Sequence, residues 1–308
     1  MPRPRIVVVG SSNIDMVVKS EKIPGPGETV LGGEFVMVPG GKGANQAVCA
    51  AKLGASVELV ARIGEDVFGQ VSLENFGHVG VGTSFLTRDP ERASGVALIC
   101  VDRAAENAIV VAPGANNGLS PSDVDRAVDA IRQADAVLLQ LEIPAETVVH
   151  TIEMAKSMGK RVVLNPAPIR PMSKDILGMV DVLVPNQHEA ADLLGRTGEG
   201  ADLDAESSAE LLLAMGVGAV VITLGSQGAY VAADGIRERI APMKVKAVDT
   251  TAAGDAFTAS LTCALAEGMT LVDAARFAAR VAAISVTRMG AQTSLPSREE
   301  VDVYRFGN

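Results

Sequence analysis

The sequence predicts an α/β protein with a doubly wound, mostly parallel sheet, helices on both faces and a small β-sheet lid. Short and nearly continuous apolar runs recur along the chain, as strands buried on both faces of a parallel sheet require. Segments with helical periodicity lie between them, and this alternation is typical of doubly wound sheets. Two regions depart from it and contain only short strand-like pieces.

Six apolar runs predict the strands of the main sheet. They are Ile6–Val9, Val57–Ala61, Ala136–Leu141, Val162–Leu164, Val182–Val184 and Ala219–Leu224. Start signals mark the helices between them, because Ser120 is a capping residue and Pro121 follows at the first helical position. Pro144 similarly precedes a helix predicted over Ala145–Met158. A further helix is predicted over Asp204–Met215, where a glycine ends it.

The predicted lid comprises residues 13–38 and 95–111. Its strand-like pieces are Met16–Lys19, Thr29–Leu31, Glu34–Val38, Val96–Val101 and Ala108–Val111. No helical periodicity intervenes within either region, so we expect one small antiparallel sheet that projects from the main body. Ordinary surface hairpins are the alternative.

Composition narrows the possible functions. The 308 residues include 27 Lys and Arg against 37 Asp and Glu, a net charge of −10, whereas non-specific nucleic-acid binding needs a basic face. The three cysteines form no C-x-x-C pair, and no stretch approaches the ~20 apolar residues of a membrane span. We expect a cytoplasmic protein without a nucleic-acid or membrane partner. An anionic substrate must then be bound by a metal, backbone amides or a few cations.

Polar residues follow five of the predicted strands. They are Asn13 and Asp15, then Glu142, then Asn165, then Asn186 and Glu189, and finally Thr223, Gly225 and Ser226. Each alone is an ordinary loop residue. Because ligands in open α/β sheets bind beyond the carboxyl ends of the strands, the set as a whole predicts a polar cleft.

A glycine-rich segment, Gly40 to Asn45, precedes an apolar helix predicted over Ala47–Leu53. The missing side chains let the backbone and Lys42 approach a small ligand closely. The segment is not a Walker A loop, since Gly43 stands where Ser or Thr should follow Gly-Lys. A glycine-rich helix start without a ligand is the alternative.

A second segment, Asp249–Asp255, opens a helix predicted over Ala256–Glu267. Its small residues leave the first amides of the helix uncovered, and these amides, with the positive end of the helix dipole, suit an anion. Asp255 is either a capping acid or a general base that takes a proton from a hydroxyl attacking a phosphate.

These residues resemble the ribokinase-like carbohydrate kinases, also called the phosphofructokinase B type. The resemblance covers essentially the whole chain, 1–308, as a single domain and includes both family signatures, Gly40–Asn45 and Asp249–Asp255. Asn13-Ile14-Asp15 and Gln140-Leu141-Glu142 match the forms of members that phosphorylate ribose. The resemblance therefore implies transfer of a phosphoryl group from ATP to the 5-hydroxyl of D-ribose.

The resemblance also implies the roles of individual residues. The sugar would be bound by Asn13, Asp15, Gly41, Lys42, Gly43, Asn45, Glu142 and Asp255. ATP would be bound by Asn186, Glu189, Thr223, Gly225, Ser226, Gly228 and Gly254, with Mg²⁺ organised through ordered water by the first two. The anion hole would be Ala252, Ala253 and Gly254, with Asp255 as the base. Potassium would be bound, largely through carbonyl oxygens, by Asp249, Thr251, Ser285, Arg288, Gly290 and Ser294.

Several alternatives stay open. Other sugar kinases of the family are fructokinase, 2-keto-3-deoxygluconate kinase, deoxyribose kinase and sugar-phosphate kinases, and Ala279, where members often carry Asn or His, leaves the nucleotide preference open. A nucleoside kinase is disfavoured, since seven Phe, two Tyr and no Trp offer few stacking surfaces. A sugar-responsive regulator without turnover is disfavoured by Asp255 and Glu189. We also expect a homodimer joined through the lid, because lid-to-lid packing covers apolar faces and open edges.

Overall fold

The structure is a computed structural model that describes residues 3–104, 106–196 and 204–306. Its strands are β1 (Arg5–Val9), β2 (Asn13–Lys19), β3 (Phe35–Gly40), β4 (Ser56–Gly64), β5 (Leu86–Asp89), β6 (Gly95–Val101), β7 (Asn107–Ala112), β8 (Ala136–Leu139), β9 (Arg161–Leu164), β10 (Val182–Leu183), β11 (Ala219–Thr223), β12 (Ala229–Ala233) and β13 (Ile236–Ile240). Nine of them form the main sheet, and β2, β3, β6 and β7 form a separate small sheet.

The main sheet is parallel from β11 to β5. Its order is β13-β12-β11-β10-β9-β8-β1-β4-β5, and only β12 and β13 run antiparallel to their neighbours. Within the sheet β1 lies between β4 and β8, and its Val8 pairs with Leu59 of β4 and with Leu138 of β8. The prediction of a doubly wound, mostly parallel sheet is confirmed, and all six predicted strands are present.

Alternate residues of β1 pack into two different layers, which is why its sequence is continuously apolar. The helices are α1 (Lys42–Lys52), α2 (Val67–Val79), α3 (Pro121–Asp125), α4 (Val128–Gln133), α5 (Ala145–Ser157), α6 (Lys174–Leu177), α7 (Gln187–Leu193), α8 (Ala205–Ala214), α9 (Ala253–Ala266), α10 (Leu271–Ser285) and α11 (Arg298–Val303). Ile6 and Val8 pack with α1, α9 and α10 on one face, and Val7 and Val9 pack with α3, α4, α5 and α8 on the other. Helices therefore cover both faces of the sheet.

Capping residues start the predicted helices where the sequence indicates. Ser120 forms a capping box with Asp123 at α3, and Asp204 accepts a hydrogen bond from the N–H of Ser207 at α8. Pro144 itself is the capping residue of α5. Within the described ranges, no helix has the length and apolarity that crossing a bilayer demands.

Two helices begin earlier than predicted. The first, α1, begins at Lys42 instead of Ala47, and α9 begins at Ala253 instead of Ala256. At α1 the glycine is a weak helix former, but close packing of this first turn against the backbone of Gly10 and Ser11 overrides the local preference. As a result Asn45 and Asp255 lie on the first turns of helices and not in the loops before them.

The small sheet has the order β3-β2-β6-β7 and is mixed, so the prediction of an antiparallel sheet is wrong in one pairing. Strands β2 and β6 run parallel because both start at the main body, where Asn13 pairs with Gly95. Residues 29–31 are not a strand, and Leu31 is 91% exposed among glycine-rich turns. The remaining strand-like pieces of both regions are present.

Three strands were not predicted. They are β5, β12 and β13, all at or near the edges of the main sheet. The edge strands β5 and β13 carry charges, as in the Ile-Arg-Glu-Arg-Ile sequence of β13, so their composition lacks the continuous apolar run of a central strand. The Ala-Tyr-Val-Ala-Ala sequence of β12 is apolar and mostly buried, so this strand was missed although its pattern was present.

The carboxylate of Asp66 ties the small sheet to the main body. It accepts a hydrogen bond from the N–H of Gly69, which caps α2, and two more from the N–H and hydroxyl of Ser94. Ser94 immediately precedes β6. This one side chain therefore stabilises both the start of α2 and the residue at which the chain enters β6 of the small sheet.

We expect Asp66→Ala to lower the free energy of unfolding by about 2 kcal/mol or more, because it removes a cap and leaves the Ser94 donors without an acceptor. Asp129→Ala is the matched control. Asp129 is also an acid in a first helical turn, but it is 76% exposed and pairs only with Arg132. Its loss should change stability by no more than ~0.5 kcal/mol. Urea unfolding of both variants tests this, and equal destabilisation would contradict it.

Candidate active site

The N-terminus of α9 is open to a ligand. Ala252 precedes the helix with φ = 60°, and it is the one non-glycine residue with positive φ in the described ranges. No side chain caps the helix, and no described residue accepts a hydrogen bond from the N–H of Gly254 or Asp255. Left-handed backbone in a residue with a side chain costs about 1 kcal/mol or more and is found mainly at functional sites. These uncovered amides can bind an anion.

Asp255 lies on the first turn of α9 and is buried. Its Oδ2 accepts a hydrogen bond from Asn45 Nδ2 at 2.9 Å, and its Oδ1 accepts one from Gln46 Nε2 at 2.9 Å. Burial raises the pKa of Asp255 above its usual value, although the Lys42 ammonium and the two amides act in the opposite direction. A carboxyl group held beside an anion-binding helix end can accept a proton during phosphoryl transfer.

The start of α1 packs directly against the loop after β1. Gly41 has φ = 87°, and a Cβ at Gly43 would lie 2.5 Å from the N–H nitrogen of Ser11, so neither position accommodates a side chain. The N–H of Ala44 donates to the carbonyl oxygen of Ser11 at 2.8 Å. This close approach places Lys42 and Asn45 at the carboxyl edge of the sheet, beside Asp255.

Four carboxyl groups surround Lys42. Burial by itself would lower the pKa of Lys42, but the neighbouring acids raise it above its usual value, and they are Asp255, Glu142, Glu189 and Asp15. The pKa of Asp15 is raised to about 6, first by burial and then by the charges of Glu142 and Asp255. The site thus combines hydrogen-bond acceptors with one fixed cation, a set that suits a polyhydroxylated ligand.

Hydrogen bonds fix the positions of Glu142 and Asn13. Glu142 Oε2 accepts from the Ser11 hydroxyl at 2.5 Å and from the Lys42 N–H at 3.0 Å. Asn13 Oδ1 accepts from Asn116 Nδ2 at 2.7 Å, and Asn116 Oδ1 accepts from the N–H of Ser12 at 2.9 Å. Because Asn116 occupies its oxygen, Asn13 has its NH₂ group left for a ligand.

A cleft of about 470 Å³ lies on the other side of the α9 N-terminus. The residues predicted for a nucleotide, Thr223, Gly225, Ser226 and Gly228, line it together with Ala253 and Gly254 of the predicted anion hole. Ala279, which the sequence analysis connected with nucleotide preference, also lines the cleft. The remaining lining was not predicted and consists of Pro242, Met243, Lys244, Val245, Ala247, Thr250, Phe257, Ala282, Ala283 and Val286. One end of the cleft is therefore apolar and the other ends at uncovered amides, as a nucleotide with a polyphosphate requires.

Asn186 and Glu189 form a capping box at α7. Asn186 Oδ1 accepts from the Glu189 N–H at 2.8 Å, and Glu189 Oε2 accepts from the Asn186 N–H at 2.9 Å. Burial raises the pKa of Glu189. The described residues contain no cluster of three His, Cys, Asp or Glu side chains that could hold a metal ion. A divalent ion that fits this site would therefore be bound mainly by phosphate oxygens and water, with Glu189 nearby.

The residues predicted for potassium lie on two segments, 249–251 and 285–294. The side chain of Asp249 links the segments by hydrogen bonds. Its Oδ1 accepts from the hydroxyl and N–H of Thr251, and its Oδ2 accepts from the Gly290 N–H at 2.8 Å. Burial alone would raise the pKa of Asp249, but these donors hold it below its usual value, so the carboxylate stays ionised. The Arg288 guanidinium pairs with Glu300 at 2.7 Å, which leaves its carbonyl as the available ligand.

The hydroxyl groups of Ser285 and Ser294 donate to the carbonyls of Ala282 and Ala291. The donor set thus fits a monovalent cation bound by backbone oxygens beside one fixed carboxylate.

The structure brings most predicted residues to one edge of the main sheet. Those predicted for the sugar meet around Lys42 and Asp255. Five of the seven predicted for the nucleotide line the cleft, whereas Asn186 and Glu189 form the capping box of α7 and are not among its lining residues. Gln46 and Asn116, which contact these residues directly, were not predicted as site residues. The available signal for Gln46 was its place next to Asn45 in the glycine-rich segment.

The chain matches known proteins over nearly its whole length. Residues 3–298 match the pattern of the pfkB family of carbohydrate kinases. The ribokinase of Haemophilus influenzae is 40% identical, over 97% of both chains. The deoxyribokinase of Salmonella typhi is 36% identical, over 97% of this chain and 98% of that protein.

Comparison with solved structures leads to the same family as the sequence matches. The ribokinase of Thermotoga maritima superposes with a TM-score of 0.88 at 40% identity, covering 96% of this chain and 97% of that one. The ribokinase of Arabidopsis thaliana, solved in complex with ribose and ATP, superposes with a TM-score of 0.86 at 34% identity over 97% of both chains. With matching residues, fold and extent, the chain belongs to the pfkB family of carbohydrate kinases.

Proposed function

We propose that this sugar kinase transfers the γ-phosphoryl group of ATP to the 5-hydroxyl of D-ribose, with Asp255 as the general base. The observation that carries the proposal is the buried Asp255 carboxylate at the uncovered N-terminus of α9, between an acidic pocket and an apolar-ended cleft. Relatives named ribokinase, one of them solved with ribose and ATP, support the choice of substrates.

The sugar would occupy the pocket between β2 and α1. The amide of Asn13, the carboxylates of Asp15 and Glu142 and the ammonium of Lys42 offer donors and acceptors to its hydroxyl groups. Gly41 and Gly43 let α1 approach the loop after β1 closely, and Asn45 Oδ1, which is buried and has no partner among the described residues, is left to accept from a hydroxyl. This combination favours a small polyol over an apolar or phosphorylated substrate.

ATP would lie in the 470 Å³ cleft with its phosphates toward Gly254. Mg²⁺ bound to the phosphates would supply charge neutralisation, near Asn186 and Glu189. The N–H groups at the start of α9 are aimed at the γ-phosphoryl group and stabilise the charge that develops on it. Asp255 accepts the proton of the attacking hydroxyl, which makes that oxygen a sufficient nucleophile.

We also propose that the small sheet acts as a lid over the sugar. Asn13 and Asp15 belong to β2, so the small sheet carries part of the sugar pocket. A lid that closes over the sugar excludes water, which would otherwise compete as an acceptor for the phosphoryl group.

A second candidate substrate is 2-deoxyribose, which the match to a deoxyribokinase favours. The two sugars differ by one hydroxyl group, and a site built to bind that group discriminates strongly against its absence. A comparison of kcat/KM for ribose, 2-deoxyribose and fructose assigns the sugar without affecting the assignment as a kinase.

We expect Asp255→Asn to lower kcat by ~10²-fold or more, because it keeps the size of the side chain and removes the proton acceptor. The KM for ribose should change much less. Asp273→Asn is the matched control, since Asp273 is likewise the third residue of a helix, α10, but is exposed and pairs with Arg276. Steady-state kinetics across neutral pH test this. Activity of the folded Asp255 variant within a few-fold of wild type would refute the role of the base.

We expect potassium to activate the enzyme strongly and sodium only weakly. The cation would lie beside Thr251 to Gly254 and would help to set the geometry of the anion hole. Turnover is to be measured at saturating sugar and MgATP in KCl, NaCl and choline chloride of equal ionic strength. Equal rates in potassium and sodium would contradict the predicted cation site.

We expect a homodimer joined through the small sheets. Leu98 and all six residues of β7 are exposed, and β3 and β7 are open edges. Light scattering should give twice the chain mass of 31.7 kDa at micromolar concentration.

Val110→Glu, at a residue 66% exposed on β7, should then give monomers. Val303→Glu, at a residue 70% exposed on α11, should leave the dimer intact. A wild-type monomer would refute the dimer and leave the kinase assignment unaffected.

A further inference from the structure

Gln46 is a fully buried glutamine that contacts Asp255. Its Nε2 donates to Asp255 Oδ1 at 2.9 Å and to Asn165 Oδ1 at 3.2 Å. Its Oε1 accepts from Gln140 Nε2 at 2.6 Å. Both ends of its amide are therefore engaged, one with the carboxylate and the other with a neighbouring amide.

Packing and hydrogen bonds fix the orientation of this amide. Gln140 is buried just after β8, and its side chain fills the space that a methyl group at Gly10 would need. Asn165 donates through Nδ2 to the carbonyl oxygen of Val184 at 3.0 Å, so its Oδ1 faces Gln46. An ionised carboxylate only accepts hydrogen bonds, so the NH₂ group of Gln46 must point toward Asp255 and its oxygen toward Gln140.

An apolar side chain would fill this position at a lower desolvation cost than a glutamine. The amide donates a hydrogen bond, which an apolar group cannot do. Unlike an acid or an amine, it has no charge that changes with pH. Asn45, the other donor to Asp255, also has a buried oxygen without a partner among the described residues. Both polar atoms of the Gln46 side chain are already bonded within the protein, and Asp255 is the one site residue among their partners.

The charges around Asp255 mostly oppose its ionisation. The titratable groups that face it are Asp15 on β2, Glu142 after β8, Glu189 on α7, and Lys42 and Cys49 on α1. Three of these are acids. Burial raises the pKa of the Cys49 thiol to about 12, so it stays neutral, and Lys42 is the one cation in this set. A hydrogen-bond donor to Asp255 therefore has a larger effect on its ionisation than it would have at a solvated carboxylate.

We propose that Gln46 is a positioning residue for Asp255: its amide, locked by Gln140 and Asn165, orients the carboxylate toward the attacking hydroxyl and keeps it ionised. The inference rests on the proposed role of Asp255 as the base. Gln46 touches neither substrate in this arrangement and acts only through Asp255.

Two variants test the proposal through the pH dependence of kcat at saturating ribose, MgATP and KCl. Gln46→Met fills the same space without a donor and should shift the acid limb upward by about one pH unit, the scale of one hydrogen bond to a charged group. Below the shifted limb kcat should fall about ten-fold, and it should rise toward the wild-type value at higher pH. Gln46→Glu adds a like charge and should shift the limb further. The KM for ribose should change less than kcat.

The control is Thr151→Val, which replaces another fully buried polar side chain by an apolar one of the same shape on α5, a helix on the face of the main sheet opposite α1 and α9. Its pH profile should equal that of wild type. Either Gln46 variant alone is sufficient to test the proposal, provided that circular dichroism shows the variant to be folded. A loss of kcat that is independent of pH, or a profile identical to wild type, would overturn the proposal.

Asp255→Asn is measured in parallel to separate the two hypotheses. If that variant keeps kcat, the base is wrongly assigned and the inference about Gln46 fails with it. If it loses kcat while the Gln46 variants keep the wild-type profile, only the inference about Gln46 fails.

Discussion

The candidate site depends on one conflict: a carboxylate has to stay ionised while it is buried. Asp255 is buried beside the uncovered amides of α9, and in the proposed reaction this burial keeps out water that would compete with the acceptor hydroxyl. Removing a carboxylate from water costs several kcal/mol unless donors and cations replace the lost hydration. Asn45, Gln46 and Lys42 supply that replacement from a single helix, α1.

The packing of α1 follows from that requirement. For α1 to bring three side chains to Asp255, its first turn must approach the loop after β1 more closely than a side chain would permit. Gly43 meets this condition against Ser11, and the same contact allows the backbone of Lys42 to bind Glu142. The glycines of the first signature thus set the position of the helix.

Much of this arrangement can be predicted from the sequence because it depends on local patterns. The buried strands are apolar throughout, and the ligand-binding edge of such a sheet is set by topology, so polar residues after the strands identify the cleft. Pairings between distant segments have no such local signal. Gln46 and Gln140 are 94 residues apart and Asn116 and Ser12 are 104 apart, and nothing near either residue indicates its partner.

The errors in the small sheet and at the two helix starts have physical causes of the same kind. Strands β2 and β6 are parallel because of where both leave the main body, a relation that the sequence of neither strand contains. The left-handed backbone of Ala252 and the helical conformation of Gly43 contradict local preference and are imposed by tertiary packing. Such departures from local preference concentrate where the chain approaches its candidate ligands.

The position within β2 of Asn13 and Asp15, which are proposed to bind the sugar, has a mechanical consequence. Asn13 lies at the base of the strand and Lys19 at its far end, about 20 Å away at ~3.3 Å per residue. In any rotation of the small sheet about its base, displacement grows with distance from the axis, so the tip sweeps through several ångströms while Asn13 scarcely moves. With a pivot of this kind, the proposed sugar contacts at the base would be kept at every opening angle. Only the access of solvent to the sugar would change.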